Sequence, residues 1–223
     1  MYVRIELLKK KQIDHIVSQL ESVEMVDGRH SAGHLLTGIK DNRELPPGIV
    51  RSELGISLKA ALLGNDEFKS FALPRAIAVP EFVRYDAGMS FGLHTDAALF
   101  NPHSSNTFRT DLAVTVFLSD PNTYDGGELI VHIGAAEVAF KFKAGDAVVY
   151  PAEYLHRVLP VTRGTRLAVV TWVQSYVRCH AGRQTLHDLN RLANNCAGDT
   201  SRSDSIAMIG NIYNRLLRMW AEV

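Results

Sequence analysis

The chain has 223 residues, with 24 basic and 24 acidic side chains and a formal net charge of zero. That length suits one compact domain, and a balanced charge with no long basic run argues against nonspecific nucleic-acid binding, which needs a positive footprint. Two cysteines are too few for a disulfide framework and fit a reducing cytoplasm; the start, Met1-Tyr2-Val3-Arg4-Ile5-Glu6, lacks the apolar core of a signal peptide, and no segment is apolar for long enough to span a bilayer.

Residues 11–23 place Ile13, Ile16, Val17 and Leu20 at helical spacing, and residues 51–63 do the same with Leu54, Leu58, Ala61 and Leu62. From about residue 75 the period changes. The run 76–83 is β-rich, and the chain is punctuated by Asp125-Gly126-Gly127, Gly134, Gly145 and Gly164. Residues 91–98 are expected to be extended, since Gly88 and Gly92 weaken a helix there. Asp125-Gly126-Gly127 reads as a hairpin turn, because no helix or P-loop lysine follows it. Residues 145–151 read as a turn and a short buried strand stopped by Pro151, with His156 just beyond. A turn at Thr162-Arg163-Gly164 leads to a second strand over 165–173. After Tyr176 the helical pattern returns, and residues 203–223 line up Ile206, Ile209, Tyr213, Leu216, Leu217 and Trp220 on one stripe. Such a stripe is expected to pack on the protein's own body, with a homodimer contact as the alternative. No repeat or low-complexity linker interrupts the chain. The expectation is one domain over 1–223: a helical part at about 1–70, a mainly β core at about 75–178, and a helical part at about 179–223.

Three side chains in the core carry the chemistry. In an extended segment residues two apart share a face, so His94 and Asp96 converge, and His156 arrives from another strand. Two histidines and one carboxylate are the set that holds ferrous iron on one octahedral face and leaves the opposite face open. Zinc is the competing metal, because it takes the same ligand types. Arg166 tilts the choice. It lies near the start of an apolar strand, cannot shed its proton, and needs an anionic partner. Its planar fork matches a carboxylate. A dicarboxylate held at iron by one end and at Arg166 by the other describes 2-oxoglutarate.

These residues sit in longer stretches that are similar to a known family. Val83-Arg84-Tyr85-Asp86-Ala87-Gly88-Met89-Ser90-Phe91-Gly92-Leu93-His94-Thr95-Asp96 resembles the PKHD-type hydroxylases, prolyl 4-hydroxylase-like members of the iron(II)/2-oxoglutarate dioxygenases. So do Arg109-Thr110-Asp111-Leu112, Phe117-Leu118-Ser119-Asp120-Pro121, Tyr124-Asp125-Gly126-Gly127-Glu128-Leu129, Leu155-His156-Arg157-Val158 and, near the start, Val26-Asp27-Gly28-Arg29. The resemblance covers roughly residues 1–180. It implies a double-stranded β-helix, or jelly roll, with its site at the open mouth. It assigns iron ligation to His94, Asp96 and His156, the distal carboxylate of 2-oxoglutarate to Arg166, and a cosubstrate hydrogen bond to Tyr85. It also implies L-ascorbate as the reductant that keeps iron ferrous, and hydroxylation of an unactivated C–H bond. The chain departs from the pattern at Ala97-Ala98-Leu99-Phe100 and after Val177. Both regions could border the substrate pocket, and residues 101–108 could form a lid.

Three functions stay open at this point. One is a hydroxylase of a prolyl or other aminoacyl carbon, in a peptide or a free amino acid. The second is an oxygenase of a small metabolite tied to iron acquisition. The third is a non-catalytic cupin-like sensor of metal or oxo-acid. The other histidines, His15, His30, His34, His103, His132, His180 and His187, lack a comparable set and are expected to be structural or solvated. Arg109 and Asp111 read as a structural ion pair, and Cys179 and Cys196 as inert.

Overall fold

The computed structural model describes residues 1–33, 35–197 and 203–223. Two sheets face each other, flanked by helices. The larger has eight strands, running Val3–Glu6, Asp146–Pro151, Leu112–Phe117, Arg166–Ser175, Glu81–Tyr85, Arg43–Glu44 and Val26–Asp27 in spatial order, with Pro74–Ile77 also paired to Arg166–Ser175. The smaller has five, in the order Ala136–Phe140, Leu129–Ile133, His156–Val158, Ser90–His94 and Lys40–Asp41. Pairing is antiparallel throughout both sheets. This is the expected jelly roll: a mainly β core with helices outside.

Period-two alternation builds two cores from one sheet. On Leu112–Phe117, Leu112, Val114 and Val116 pack toward the helices, while Ala113 and Phe117 point between the sheets. On Arg166–Ser175, Val169 and Val173 face the helices, and Ala168 and Trp172 face inward. Arg166 shares the parity of the inward set, which places a guanidinium between two sheets.

The helices are α1 (Lys10–Glu21), α2 (Ile49–Gly64), α3 (Asp66–Ala72), α4 (His180–Cys196) and α5 (Ser203–Trp220). Asn65 ends α2 and caps α3, its side-chain oxygen accepting from the Phe68 N–H at 2.9 Å. Leu62 and Phe68 beside this junction are fully buried. Truncating Leu62→Ala is expected to cost about 2–5 kcal/mol, read as a lower urea midpoint with an unchanged slope.

The N-terminal part is less helical than expected. Val3–Glu6 forms an edge of the larger sheet, and residues 26–44 add short strands to both sheets. Two-residue strands carry too few side chains to show a period, so the sequence pattern missed them. The C-terminal stripe packs on the protein's own body: α5 lies along α4, Trp220 stands against Gly182, and Ala221 bridges Val177. No residue of α5 is fully buried.

Candidate active site

Ser90–His94 runs antiparallel to His156–Val158, with His94 directly opposite His156. Opposed positions bring side chains together on one face, and the two imidazole centroids lie 4.3 Å apart. Nδ1 of His94 is 2.7 Å from the Gly92 carbonyl, and Nδ1 of His156 is 2.9 Å from the Tyr154 carbonyl. A carbonyl only accepts, so each Nδ1 carries its proton and Nε2 is the nitrogen left to act as a ligand. Phe91 stacks on His94 at 3.7 Å. Burial, then the neighbouring His156, hold the His94 imidazole down at about 4, so it is neutral at physiological pH, as a metal ligand must be.

Asp96 reaches the pair differently from the strand expectation. The strand stops at His94, where its pairing with His156 ends, and Asp96 sits in the loop that follows. That loop is held by Thr110, whose hydroxyl donates to the Ala97 carbonyl at 2.6 Å and whose N–H donates to the Ala98 carbonyl at 3.1 Å. Oδ1 of Asp96 comes within 3.8 Å of His156 Nε2, and Oδ2 is buried with no hydrogen-bond partner. Burial pushes the Asp96 carboxyl up; His156 and the nearby Trp172 indole oppose that, although the indole N–H itself meets no acceptor in hydrogen-bonding geometry. One donor atom from each of His94, Asp96 and His156 lies within 4.8 Å of the others, the one such group among the described residues.

Arg166 opens its strand opposite Tyr85 and is 1% exposed. Its guanidinium lies over the Tyr85 and Phe117 rings, 5.1 and 5.8 Å from their centroids, and Nε has no partner. No carboxylate among the described residues pairs with it. Ser119 fixes the backbone on both sides: its hydroxyl accepts from the Leu167 N–H at 2.8 Å and donates to the Thr165 carbonyl at 3.1 Å. Arg166, Tyr85, Asp96 and both histidines line one cavity between the sheets.

A PKHD-type hydroxylase of Xanthomonas euvesicatoria is 40% identical over 222 residues, covering 98% of this chain and 97% of its own. The chain belongs to the PKHD-type hydroxylases. Another, from Caulobacter sp., is 43% identical over 207 residues, covering 92% of this chain and 91% of its own. The 2OG-Fe(II) oxygenase superfamily profile matches residues 80–174. A prolyl-4-hydroxylase of Pseudomonas putida superimposes with a TM-score of 0.56 at 18% identity, over 78% of this chain and 92% of that one, and so shares the fold. This PKHD-type hydroxylase is therefore a 2-oxoglutarate-dependent dioxygenase, using Fe(II) and 2-oxoglutarate, with ascorbate typical of its family. That removes the non-catalytic sensor reading.

The side chains fit those groups. Two imidazole Nε2 atoms and a carboxylate with an orphaned oxygen suit a ferrous ion, and a buried guanidinium with no carboxylate partner among the described residues suits a carboxylate. Space beside Arg166 depends on Gly127, whose φ is +67°. A Cβ there would stand 2.9 Å from Val161 Cγ2 and 3.1 Å from Arg166 Cδ. Gly127→Ala is expected to displace the arginine and raise the KM for 2-oxoglutarate about tenfold or more, measured by succinate formation at saturating iron.

Other expectations of the hydroxylase's sequence fall out as follows. Asp125–Gly126 is a ribbon paired with Val161–Arg163 through a bulge, not a hairpin turn; left-handed glycines bend the strand there. Residues 97–108 contain a small hairpin, Leu99–Phe100 with Phe108–Arg109, and Phe100 lines the cavity edge-on to Trp172. Arg109 pairs with Asp111 at 2.6 Å and with Glu222, tying down the C-terminal end as a structural ion pair. His15, His30, His103, His132, His180 and His187 join no metal-type group; His34 lies outside the described residues. Cys179 and Cys196 form no disulfide. No helix among the described residues is long and apolar enough to cross a membrane. The cavity also holds polar residues that motif reading passed over: Lys40, Asn42, Glu44 and Glu81. Their one signal was alternation, buried at 40, 42 and 44 and exposed at 41 and 43.

Proposed function

We propose that this enzyme hydroxylates an unactivated C–H bond of a prolyl or other aminoacyl group, with His94, Asp96 and His156 as the iron ligands and Arg166 and Tyr85 as the cosubstrate-binding residues. The observation that carries this reading is one cavity holding three convergent donors and a buried guanidinium that has no carboxylate partner among the described residues and leaves its Nε unbonded. When bound, Fe(II) and 2-oxoglutarate supply activation of dioxygen, with the cosubstrate oxidised to succinate and carbon dioxide.

The chain's own residues do the rest. Carbonyls hold the Nδ1 protons of His94 and His156, which orients both rings and makes Nε2 the nitrogen each would offer to the metal. Asp96 supplies the one anionic ligand. Arg166 offers two parallel N–H donors to the far carboxylate, and its place in the sheet sets the distance. Burial keeps the Tyr85 phenol protonated, hence a donor toward the cosubstrate. Phe91, Val158 and Trp172 wall the cavity with apolar surface and limit water, which protects the reactive centre. The 97–108 hairpin covers the mouth and selects the substrate.

The test is succinate formation by the purified protein with Fe(II), 2-oxoglutarate and ascorbate, followed by a panel of prolyl and other aminoacyl peptides, free amino acids and small metabolites. A mass gain of one oxygen on an aminoacyl compound is expected. Oxygen gain only on non-amino-acid metabolites would move the assignment to the small-metabolite alternative linked to iron acquisition.

A further inference from the structure

The cavity has further polar side chains besides Arg166 and the three donors. Lys40, Asn42 and Glu44 alternate inward from the short strands at 40–44, and Glu81 joins them from Glu81–Tyr85, on the face shared with Val83 and Tyr85. Lys40 and Glu44 satisfy each other in an ion pair, and Ser31 bonds to both, at 2.8 Å from Lys40 Nζ and 3.0 Å from Glu44 Oε1. Glu81 is different. It is partly buried and makes no hydrogen bond or ion pair among the described residues, with Arg51 turned instead to the carbonyls of Pro80 and Leu45. Asn42 is 2% exposed, and neither its Oδ1 nor its Nδ2 meets a partner. The strand register sets Asn42 across from Tyr85, at the Arg166 end of the cavity, so its amide is not a partner of Glu81.

Charge decides what docks. The charged side chains lining the cavity are Lys40, Glu44, Glu81, Asp96 and Arg166. Lys40 cancels Glu44. With two neutral imidazoles, Asp96 leaves one unit of the ferrous charge uncompensated, and 2-oxoglutarate on Arg166 leaves one unit of negative charge, so these offset. Glu81 alone remains. Its burial, then the like charge of Glu44, push its carboxyl up, against the smaller pull of Lys40 and Arg51, and the charge of Asp96 adds to the push. A cation beside it relieves both the burial and the repulsion.

We infer that Glu81 is a substrate-recognition residue: the substrate carries a protonated nitrogen, an ammonium or guanidinium, that docks on its carboxylate, while a neighbouring carbon faces the His94, Asp96 and His156 donors. This deepens the oxygenase reading and rests on it. The nitrogen belongs to a free amino compound or to a peptide; the chemistry is shared.

The test uses the full chain with Fe(II) and 2-oxoglutarate under anaerobic conditions, so that binding is read without turnover. Probes are matched pairs that differ in charge, such as L-lysine against L-norleucine and L-prolinamide against N-acetyl-L-prolinamide, each also placed in short peptides. Thermal shift and calorimetry are expected to show binding by cationic members and not by their neutral twins. The free and peptide arms tell which source is used. Glu81→Gln should weaken cationic binding on the order of 10- to 100-fold, Glu81→Asp should restore part of it, and Glu81→Lys should turn the preference toward acidic twins, which a merely structural role would not do. Equal binding of neutral and cationic members, undiminished binding by Glu81→Gln, or no charge-dependent shift in any pair overturns the inference. A parent protein that shows no 2-oxoglutarate-dependent shift fails at the underlying oxygenase site, and takes this inference with it.

Discussion

Arg166→Leu is expected to weaken 2-oxoglutarate binding by about 2–5 kcal/mol, roughly thirtyfold to several thousandfold in Kd, without weakening the ligand-free fold. The two halves of that expectation have one cause. Arg166 is 1% exposed, has no anionic partner among the described residues, and is surrounded by the Tyr85, Tyr124 and Phe117 rings. An unpaired buried charge is a standing cost in the empty protein and becomes an asset only when a carboxylate arrives. Leucine removes the cost and the asset together. Ligand-free Tm should therefore stay level or rise, while the 2-oxoglutarate-induced shift disappears. Arg166→Lys should fall between, since a point charge replaces a fork that bonds two oxygens at once. Calorimetry and paired melts would check this, and an unchanged Kd in the leucine variant would remove Arg166 from the cosubstrate site.

His94→Ala and His156→Ala are expected to release iron and abolish turnover. Losing an outer partner of a metal ligand already costs about 10–100-fold, so losing a ligand should cost at least the upper end of that range. Asp96→Ala should do the same, and Asp96→Asn should be weaker than the parent because a neutral amide does not balance the ion's charge. Iron per protomer, measured by a colorimetric chelate after desalting, separates this from unfolding, as does circular dichroism. Removing metal from the parent with a chelator should stop succinate formation, and Fe(II) but not Zn(II) should restore it, because zinc binds these ligands without redox chemistry. Full iron content in either histidine variant would rule that residue out as a ligand.

Much of the site was legible in one dimension because its chemistry depends on residue type. A pair of histidines with one carboxylate, and an arginine inside an apolar strand, state their needs whatever the fold around them. The strand character of 165–173 and the helix at 51–63 were legible too, since each carries enough apolar positions to show a period. The short strands at 26–44 were not, because pairing with distant partners, not local propensity, makes them strands. Asp96 shows the same limit. Strand parity gave the right neighbour for the wrong reason: the pairing that defines the strand ends at His94, and a loop held by Thr110 brings the carboxylate in.

Amino-acid types alone therefore pointed to the proposed ligand set and cosubstrate arginine and determined the mainly β core, because charge, hydrogen-bonding capacity and hydrophobic period are properties of the residues themselves. Which of the cavity's polar groups are already satisfied was decided only in three dimensions. Glu44 meets Lys40, four residues back, while Glu81 makes no hydrogen bond or ion pair among the described residues, and no residue type by itself distinguishes a carboxylate with a partner from one without. Satisfaction is a matter of side-chain distances and directions, and those exist only once the sheets have closed.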